Sequence, residues 1–231
     1  MSTFSVVLLT AVPSHLGATG IGAFVKVDGR ECLLRTVELF LNRDNVKQIQ
    51  LVVTPESMEE SKRKYGAHLG FSGVKLLAGG PNWIDQIAAA GQNISAECSH
   101  VILHDAARPA VAYADIDALM AEAAKRPAVA LSTDLRGGLA ELDESGKPIE
   151  FHPPQKFQQV VTPWAMRRDR FVEIAKTKRD LAAGELTLLR SSQLNLRVGA
   201  ASDAGMVKTM IAMLPKPKIR AADNPFEEAQ W

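Results

Sequence analysis

The 231-residue chain carries 27 Lys and Arg against 26 Asp and Glu, so it has no excess of positive charge with which to bind nucleic acid nonspecifically. Its hydrophobic content of 46% is enough for a sizeable core, and no apolar run reaches the length of a membrane span. The cysteines, Cys32 and Cys98, offer neither a disulfide framework nor a zinc quartet. We therefore expect a cytoplasmic protein, with no nucleic-acid or membrane partner, that folds as a single domain over residues 1–231.

Strands and helices are predicted to alternate from the N-terminus to Leu131. Short apolar and β-branched runs predict strands over residues 4–10, 46–54, 74–77, 100–105 and 128–131. Apolar residues at helical spacing predict helices, among them 32–40 and 113–125, and a charged helix is predicted over 57–65. Such alternation is typical of an α/β fold of the Rossmann-like kind, with a twisted, mostly parallel sheet and helices on both faces.

The pattern changes after Leu131, where a β-hairpin arm is predicted over residues 135–155. Apolar runs at 139–142 and 149–151 flank its polar turn. A two-stranded hairpin is marginally stable alone, so it should lie on a second subunit or fold over the site as a flap. Further elements are predicted as helices over 167–175 and 186–192, strands over 194–198 and 207–210, and an irregular tail from 215 onward.

The strand over 100–105 ends in the most informative stretch of the chain, His104-Asp-Ala-Ala-Arg-Pro109. In open α/β sheets, ligands bind just outside the carboxyl ends of strands. A carboxylate there, Asp105, can hold a divalent cation, and the guanidinium of Arg108 can bind a phosphate group through two parallel hydrogen bonds. The alternative is an ordinary loop in which Asp105 and Arg108 pair with each other.

This six-residue block resembles the signature of the 2-C-methyl-D-erythritol 4-phosphate cytidylyltransferases of the non-mevalonate isoprenoid pathway, and looser similarity extends from Phe4 to Met210. The resemblance implies a nucleotidyltransferase fold, CTP and a sugar phosphate as substrates, and Mg²⁺ held by Asp105. It also implies a homodimer in which the arm reaches across to the second subunit. The residues that it assigns to the nucleotide are Ala11, Val12, Gly79, Gly80, Asp85 and Ala106. Those assigned to the acceptor substrate are Asp105, Arg108, Thr162 and Lys208.

The glycine-rich loop after the first strand departs from this family. The relatives carry Ala-Ala-Gly-x-Gly-x-Arg-Met and then a Pro-Lys pair. Aligned without gaps, the two glycines are Ala11 and Pro13 here, the arginine is His15 and the lysine is Gly22. His15, if protonated, and Lys26 are candidates to restore the missing positive charge. With Arg108 and Lys208 they are the candidate catalytic residues. An ordinary flexible loop is the alternative.

Two further stretches differ from the family pattern. After Gly79-Gly80, the arginine and serine that help to hold the nucleotide are replaced by Trp83 and Gln86; Trp83 either stacks on a base or belongs to the core. Near the C-terminus, Lys208 aligns with a lysine that binds the methylerythritol phosphate. The asparagine that precedes this lysine by two residues in the family is Met206 here.

Three functions are compatible with this pattern. The chain could be a working cytidylyltransferase for methylerythritol phosphate, or a nucleotidyltransferase of the same fold for another nucleotide or sugar phosphate. It could instead be a degenerate homologue that binds a ligand or a protein without turnover. Loss of two charged donors in the loop would slow the reaction by roughly 10⁴ to 10⁶ unless other groups replace them.

Overall fold

The computed structural model describes residues 2–12 and 22–215. The strands of this part are β1 (Phe4–Leu9), β2 (Lys26–Val27), β3 (Arg30–Glu31), β4 (Val46–Val53), β5 (Val74–Ala78), β6 (His100–Asp105), β7 (Ala128–Asp134), β8 (Leu139–Leu142), β9 (Pro148–His152), β10 (Gln158–Arg167) and β11 (Thr187–Arg190). The α-helices are α1 (Cys32–Glu38), α2 (Pro55–Phe71), α3 (Trp83–Gly91), α4 (Tyr113–Ala123), α5 (Arg168–Thr177) and α6 (Ala204–Met213).

Seven strands form one sheet, in the order β11-β7-β10-β6-β1-β4-β5. Every neighbouring pair is parallel except the two that involve β10, which runs antiparallel to both β6 and β7. The predicted mostly parallel α/β sheet is confirmed. Strand β6 lies inside the sheet between β10 and β1 and is buried along its whole length.

Helices cover both faces of the sheet. Side chains of α1, α2 and α4 pack with one set of strand residues, and those of α3 and α5 pack with the other set. Alternate residues of β1 point to opposite faces, with Val6 and Leu8 in one core and Val7 and Leu9 in the other. Burial on both faces explains why β1 reads as an uninterrupted apolar run rather than an alternating one.

Three predictions for the C-terminal third are wrong. Residues 187–190 form strand β11 instead of a helix, because a short apolar run has no diagnostic period and the edge of β7 offers backbone partners. Residues 207–210 lie in helix α6 instead of a strand, and Val207 packs against Val27 and Val198. The segment 194–198 is irregular, and β10 was not predicted at all.

The β-hairpin arm is confirmed. Its strands β8 and β9 form a separate two-stranded sheet, and its turn is stabilised by Asp143, whose Oδ1 accepts from the N–H groups of Ser145 and Lys147 at 2.9 Å each. Ile149 and Phe151 remain 64% and 78% exposed, so one face of the arm presents apolar side chains to its surroundings.

Among the helices of residues 2–12 and 22–215, none combines the length and apolar character needed to cross a membrane.

Candidate functional site

The carboxyl ends of β1 and β6 lie side by side in the middle of the sheet. Leu9 and Asp105, the last residues of these strands, are partners in the parallel ladder. The Ala106 N–H donates to the Leu9 carbonyl at 2.8 Å, which holds the loop after β6 against the end of β1. Because ligands of open α/β sheets bind outside this edge, the residues that follow the two strands form the candidate site.

Asp105 is fully buried, and both of its carboxylate oxygens accept hydrogen bonds. Arg197 donates from Nε to Oδ2 at 2.8 Å, and the Ala107 N–H donates to Oδ1 at 2.9 Å. Arg108 is 3% exposed, and its Nε lies 3.8 Å from the same Oδ2. The pairing of Asp105 with Arg108, one of the two alternatives above, is therefore present, but Arg197 makes the closer contact.

The cluster of Asp105, Arg108 and Arg197 carries an excess of positive charge, because two guanidiniums face one carboxylate. Arg108 Nε and Arg197 Nη2 are buried and find no hydrogen-bond partner within the described residues, and the same holds for Asn195 Oδ1 beside them. Burial lowers the pKa of Arg108; Asp105 opposes this shift and Arg197 adds to it. Unsatisfied buried donors are costly, and a phosphate group would satisfy them.

His104 and Thr162 hold the loop that carries Asp105 and Arg108. The Asp105 N–H donates to Thr162 Oγ1 at 3.1 Å, and this hydroxyl lies 2.9 Å from His104 Nδ1. His104 Nε2 lies 3.0 Å from the Arg108 carbonyl, which can only accept, so Nε2 carries the proton. Complete burial lowers the pKa of His104 to about 3, so the ring is neutral. Thr162, assigned to the acceptor substrate by resemblance, has its hydroxyl engaged in this network.

The segment 195–198 runs beside the same loop and is anchored by Asn195. Its Nδ2 donates to the Thr162 carbonyl at 2.7 Å, and its own carbonyl accepts from Arg108 Nη1 at 2.9 Å. This anchoring brings Arg197 to the buried carboxylate. This irregular segment thus places Arg197 in the site, a residue that was not predicted from the sequence.

A signal for Arg197 was present in the sequence. Asn195-Leu196-Arg197 has the family's spacing of an asparagine two residues before a basic side chain, with arginine in place of lysine. Lys208, which aligns with the family lysine, lies on α6 with an exposed side chain, and its Nζ pairs with Asp28 Oδ1 at 2.8 Å. The structure therefore places Arg197, and not Lys208, beside Asp105.

Lys26, another candidate for the missing loop charge, contacts a different carboxylate. Lys26 is exposed, and its Nζ lies 3.8 Å from Glu31 Oε1 across the β2–β3 hairpin. His15 lies outside the described residues. The described chain stops at Val12 and resumes at Gly22, which is buried against the segment 195–198.

Gln86 binds the first residues after β1. It is fully buried, and its Oε1 accepts from the N–H groups of both Thr10 and Ala11 at 3.0 Å. Its Nε2 donates to Thr10 Oγ1 at 3.2 Å. Two backbone donors at the edge where ligands bind are thus satisfied by the residue that replaces the family's serine.

Gly79 and Gly80 lie beside this contact and allow close approach of the backbone. A Cβ at Gly79 would lie 2.6 Å from Val52 Cγ1, and one at Gly80 would lie 2.5 Å from Asp85 Cβ. The Asp85 carboxylate is paired with Lys178 at 2.7 Å, and this ion pair lowers the pKa of Asp85. Both glycines and Asp85 therefore lie at the same edge as Gln86, and their role in binding a nucleotide stays a prediction.

Trp83 belongs to the core. It is 1% exposed, and its ring packs edge-to-face against Trp164 with the ring centroids 6.2 Å apart. The alternative in which Trp83 stacks on a base is wrong, since no face of the indole is available.

The donor set around Asp105 does not fit Mg²⁺. This ion is usually held by one or two carboxylates together with substrate phosphates and water, but the buried Asp105 carboxylate already accepts from Arg197 and Ala107 and lies 3.8 Å from a second guanidinium, that of Arg108. In the described part of the chain, the one group of acidic, histidine or cysteine side chains with ligand spacing is Glu141, Glu150 and His152, on the arm.

Comparisons of sequence relate the chain to one protein family. A family model described as 2-C-methyl-D-erythritol 4-phosphate cytidylyltransferase (IspD) matches residues 7–206. The protein of that name from Frankia casuarinae is 30% identical over 67% of this chain and 57% of its own length. The one from Rhodopirellula baltica is 28% identical over 57% of this chain and 59% of its own length. The chain thus matches less than two thirds of the length of these relatives.

Solved structures share the fold over nearly the whole described chain. A 4-diphosphocytidyl-2C-methyl-D-erythritol synthase from Anaerococcus prevotii matches with a TM-score of 0.74 at 13% identity, covering 91% of this chain and 99% of that one. The 2-C-methyl-D-erythritol 4-phosphate cytidylyltransferase from Thermus thermophilus matches with a TM-score of 0.69 at 18% identity, covering 89% and 98%.

Proposed function

The chain belongs to the 2-C-methyl-D-erythritol 4-phosphate cytidylyltransferase family, and from this premise we propose that it transfers CMP from CTP to 2-C-methyl-D-erythritol 4-phosphate and releases pyrophosphate. The observation that carries the proposal is the buried pair of guanidiniums, Arg108 and Arg197, at the carboxyl end of β6, which have donors without a partner among the described residues. Guanidiniums match the geometry of phosphate oxygens and remain charged at any physiological pH.

The reaction needs positioning and charge neutralisation more than covalent work by the protein. An oxygen of the acceptor phosphate attacks the α-phosphorus of CTP, a new P–O bond forms, and the bond to the β-phosphate breaks. In the proposed mechanism Arg108 and Arg197 bind and orient phosphate oxygens, while Asp105 holds Arg197 in place. His104 and Thr162 fix the loop, so these donors need little reorganisation when charge develops.

The nucleotide is proposed to bind between the loops after β1 and β5. Gly79 and Gly80 let the loop after β5 pack closely against Val52 and Asp85 there, and Gln86 fixes the first residues of the loop after β1. The two N–H groups that Gln86 holds are not free for the nucleotide while this contact persists.

We also propose that the protein is a homodimer and works in the cytoplasm. The apolar face of the arm, formed by Ala140, Leu142, Ile149 and Phe151, has no cover among the described residues of its own chain. Such a patch marks an interaction surface. Both Cys32 and Cys98 are free thiols, as is usual in a reducing compartment.

The test is release of pyrophosphate from CTP, ATP, GTP or UTP in the presence of 2-C-methyl-D-erythritol 4-phosphate. We expect turnover with CTP. Replacement of one preorganised donor, in Arg197→Ala, should reduce the rate by about 10² to 10³. Lys208→Ala is the matched control, since it removes a positive charge that the structure places on the surface beside Asp28.

Turnover with another nucleotide alone would assign a different substrate to the same site. Absence of pyrophosphate release with all four nucleotides would contradict the proposal and leave a homologue that binds without turnover.

A further inference from the structure

The contacts of Asp105 indicate how this site neutralises the charge of a phosphate group. This inference rests on the function proposed above. A carboxylate at the end of a central strand is well placed to hold a divalent cation. In this chain Arg197 Nε occupies Oδ2 at 2.8 Å, and the Ala107 N–H occupies Oδ1 at 2.9 Å. The guanidinium therefore takes one of the positions at which a cation could bind this carboxylate.

A metal ion could take this position only by displacing this guanidinium. The Arg197 side chain is 9% exposed, and the Asp105 side chain is completely buried. Separating a buried ion pair leaves an uncompensated charge, which typically costs several kcal/mol. A divalent cation would in addition lie close to Arg108, whose Nε is 3.8 Å from the same carboxylate oxygen. Both effects disfavour a metal at this position.

The same guanidiniums retain unused donors for an anion. Arg108 Nε and Arg197 Nη2 are buried without hydrogen-bond partners among the described residues, and the cluster has one more positive than negative group. Arg108 Nη1 is held by the Asn195 carbonyl at 2.9 Å, so this side chain is already oriented. A phosphate group would satisfy these donors, and its negative charge would offset the excess positive charge of the cluster.

We propose that Arg197 replaces a divalent cation at Asp105, so that the Arg108–Arg197 pair binds a phosphate group without a metal ion. Asp105 is then a positioning residue, which acts on the phosphate through Arg197. Arginine suits this role better than lysine, because its planar guanidinium can bind the carboxylate with one edge while other N–H groups face the anion.

The first experiment is calorimetric titration of the full chain with inorganic phosphate, in excess EDTA and again in millimolar Mg²⁺. We expect the two dissociation constants to agree within about twofold. Arg197→Gln should weaken binding by about tenfold or more in both buffers, as loss of one charge-assisted hydrogen bond does. Arg190→Gln is the matched control, since Arg190 is 73% exposed and pairs with Asp134 at the edge of the sheet.

If Arg197→Gln fails to fold, Arg197→Lys keeps the charge, and it should bind phosphate more weakly than the parent but still without Mg²⁺. Phosphate binding that requires Mg²⁺, or no binding in either buffer, would overturn the proposal.

A second experiment measures Mn²⁺ binding by electron paramagnetic resonance in the parent chain and in Asp105→Asn. The proposal expects equal binding in both, because Asp105 is not a metal ligand; any Mn²⁺ held by the arm is common to both. Loss of a bound Mn²⁺ in Asp105→Asn would overturn it.

These outcomes are separable from the fate of the proposed function. Metal-independent phosphate binding without pyrophosphate release would retain this site and refute the cytidylyl transfer. Pyrophosphate release together with Mg²⁺-dependent phosphate binding would support the cytidylyl transfer and refute the metal-independent phosphate site.

Discussion

At the scale of single residues, His104 shows how a buried polar side chain can brace a site without taking part in its chemistry. Its ring connects the Thr162 hydroxyl on β10 with the Arg108 carbonyl, and Thr162 in turn accepts from the Asp105 N–H. Buried polar networks of this kind are stabilising only when every member is satisfied. Nδ1 now accepts a hydrogen bond from the Thr162 hydroxyl. Protonation of His104 would place a proton on Nδ1 and break this bond, so the network depends on the neutral ring.

This dependence predicts how stability changes with pH. The pKa of His104 is lowered by burial from 6.5 to about 3, so below pH 6.5 the unfolded chain binds a proton that the folded chain does not. The contribution of His104 to the free energy of unfolding is therefore fully present above pH 6.5. It falls by about 1.4 kcal/mol per pH unit as the pH decreases toward 3. Urea unfolding at pH 7.5 and 5.5 should show the corresponding loss.

His104→Gln is the control for this prediction, since a carboxamide can donate to Arg108 and accept from Thr162 without titrating in this range. The variant should lose less stability between the two pH values than the parent does. Equal losses in both proteins would show that His104 is not the group responsible.

At the scale of elements, the site depends on close packing of segments that are distant in sequence. Gly22, where the described chain resumes, lies against the segment that carries Arg197. A Cβ at Gly22 would lie 1.7 Å from the Val198 carbonyl oxygen and 3.1 Å from Ala107 Cβ. Neither backbone nor core can yield at low cost, so this glycine is required by contact rather than by a turn.

We therefore predict that Gly22→Ala destabilises the protein by about 1–3 kcal/mol, the usual range for overpacking. Gly66→Ala is the matched control, because Gly66 lies inside α2 with nothing within 4 Å of its missing Cβ. There alanine should stabilise the helix by about 0.5–1 kcal/mol. Chemical denaturation measures both, and a neutral Gly22→Ala would refute the close approach.

At the scale of the whole molecule, the arm is a two-stranded sheet whose apolar side chains are exposed, so contacts within the described chain do not account for its stability. The apolar face defined above includes Ile149 and Phe151, and the opposite face carries Glu141 and Glu150 as cross-strand partners. The arm has its own sheet, and in the described part of the chain no strand of the main sheet pairs with it. A second copy of the chain is the proposed cover for the apolar face.

The prediction is a dimer at tens of micromolar by light scattering. Substitution of both apolar residues, in Ile149→Glu with Phe151→Glu, should give a monomer whose main sheet remains folded by circular dichroism. Glu150→Gln lies on the opposite face and should leave the dimer intact. A monomeric parent protein would contradict the prediction.

The fold was predicted well where local pattern and tertiary context agree. The strands β1, β4, β5, β6 and β7 lie close to their predicted positions, because each is an apolar run buried between neighbours. The pattern failed at β10 and β11. Thr162-Pro163 interrupts β10 and produces a shift of register against β7, so its sequence does not resemble a central strand.

The sequence by itself determined the α/β alternation, the hairpin arm and the position of Asp105 at the end of a central strand. Each of these follows from local patterns of apolar residues, turn residues and charge. Only the tertiary structure decided which positively charged side chain forms the ion pair with Asp105. Arg197 is 92 residues away along the chain and lies in an irregular segment, whose path depends on contacts of Asn195 and not on any periodic pattern. The asparagine two residues before Arg197 was the only local signal for it, and only the fold shows that Arg197 lies beside Asp105 while Lys208 lies on the surface.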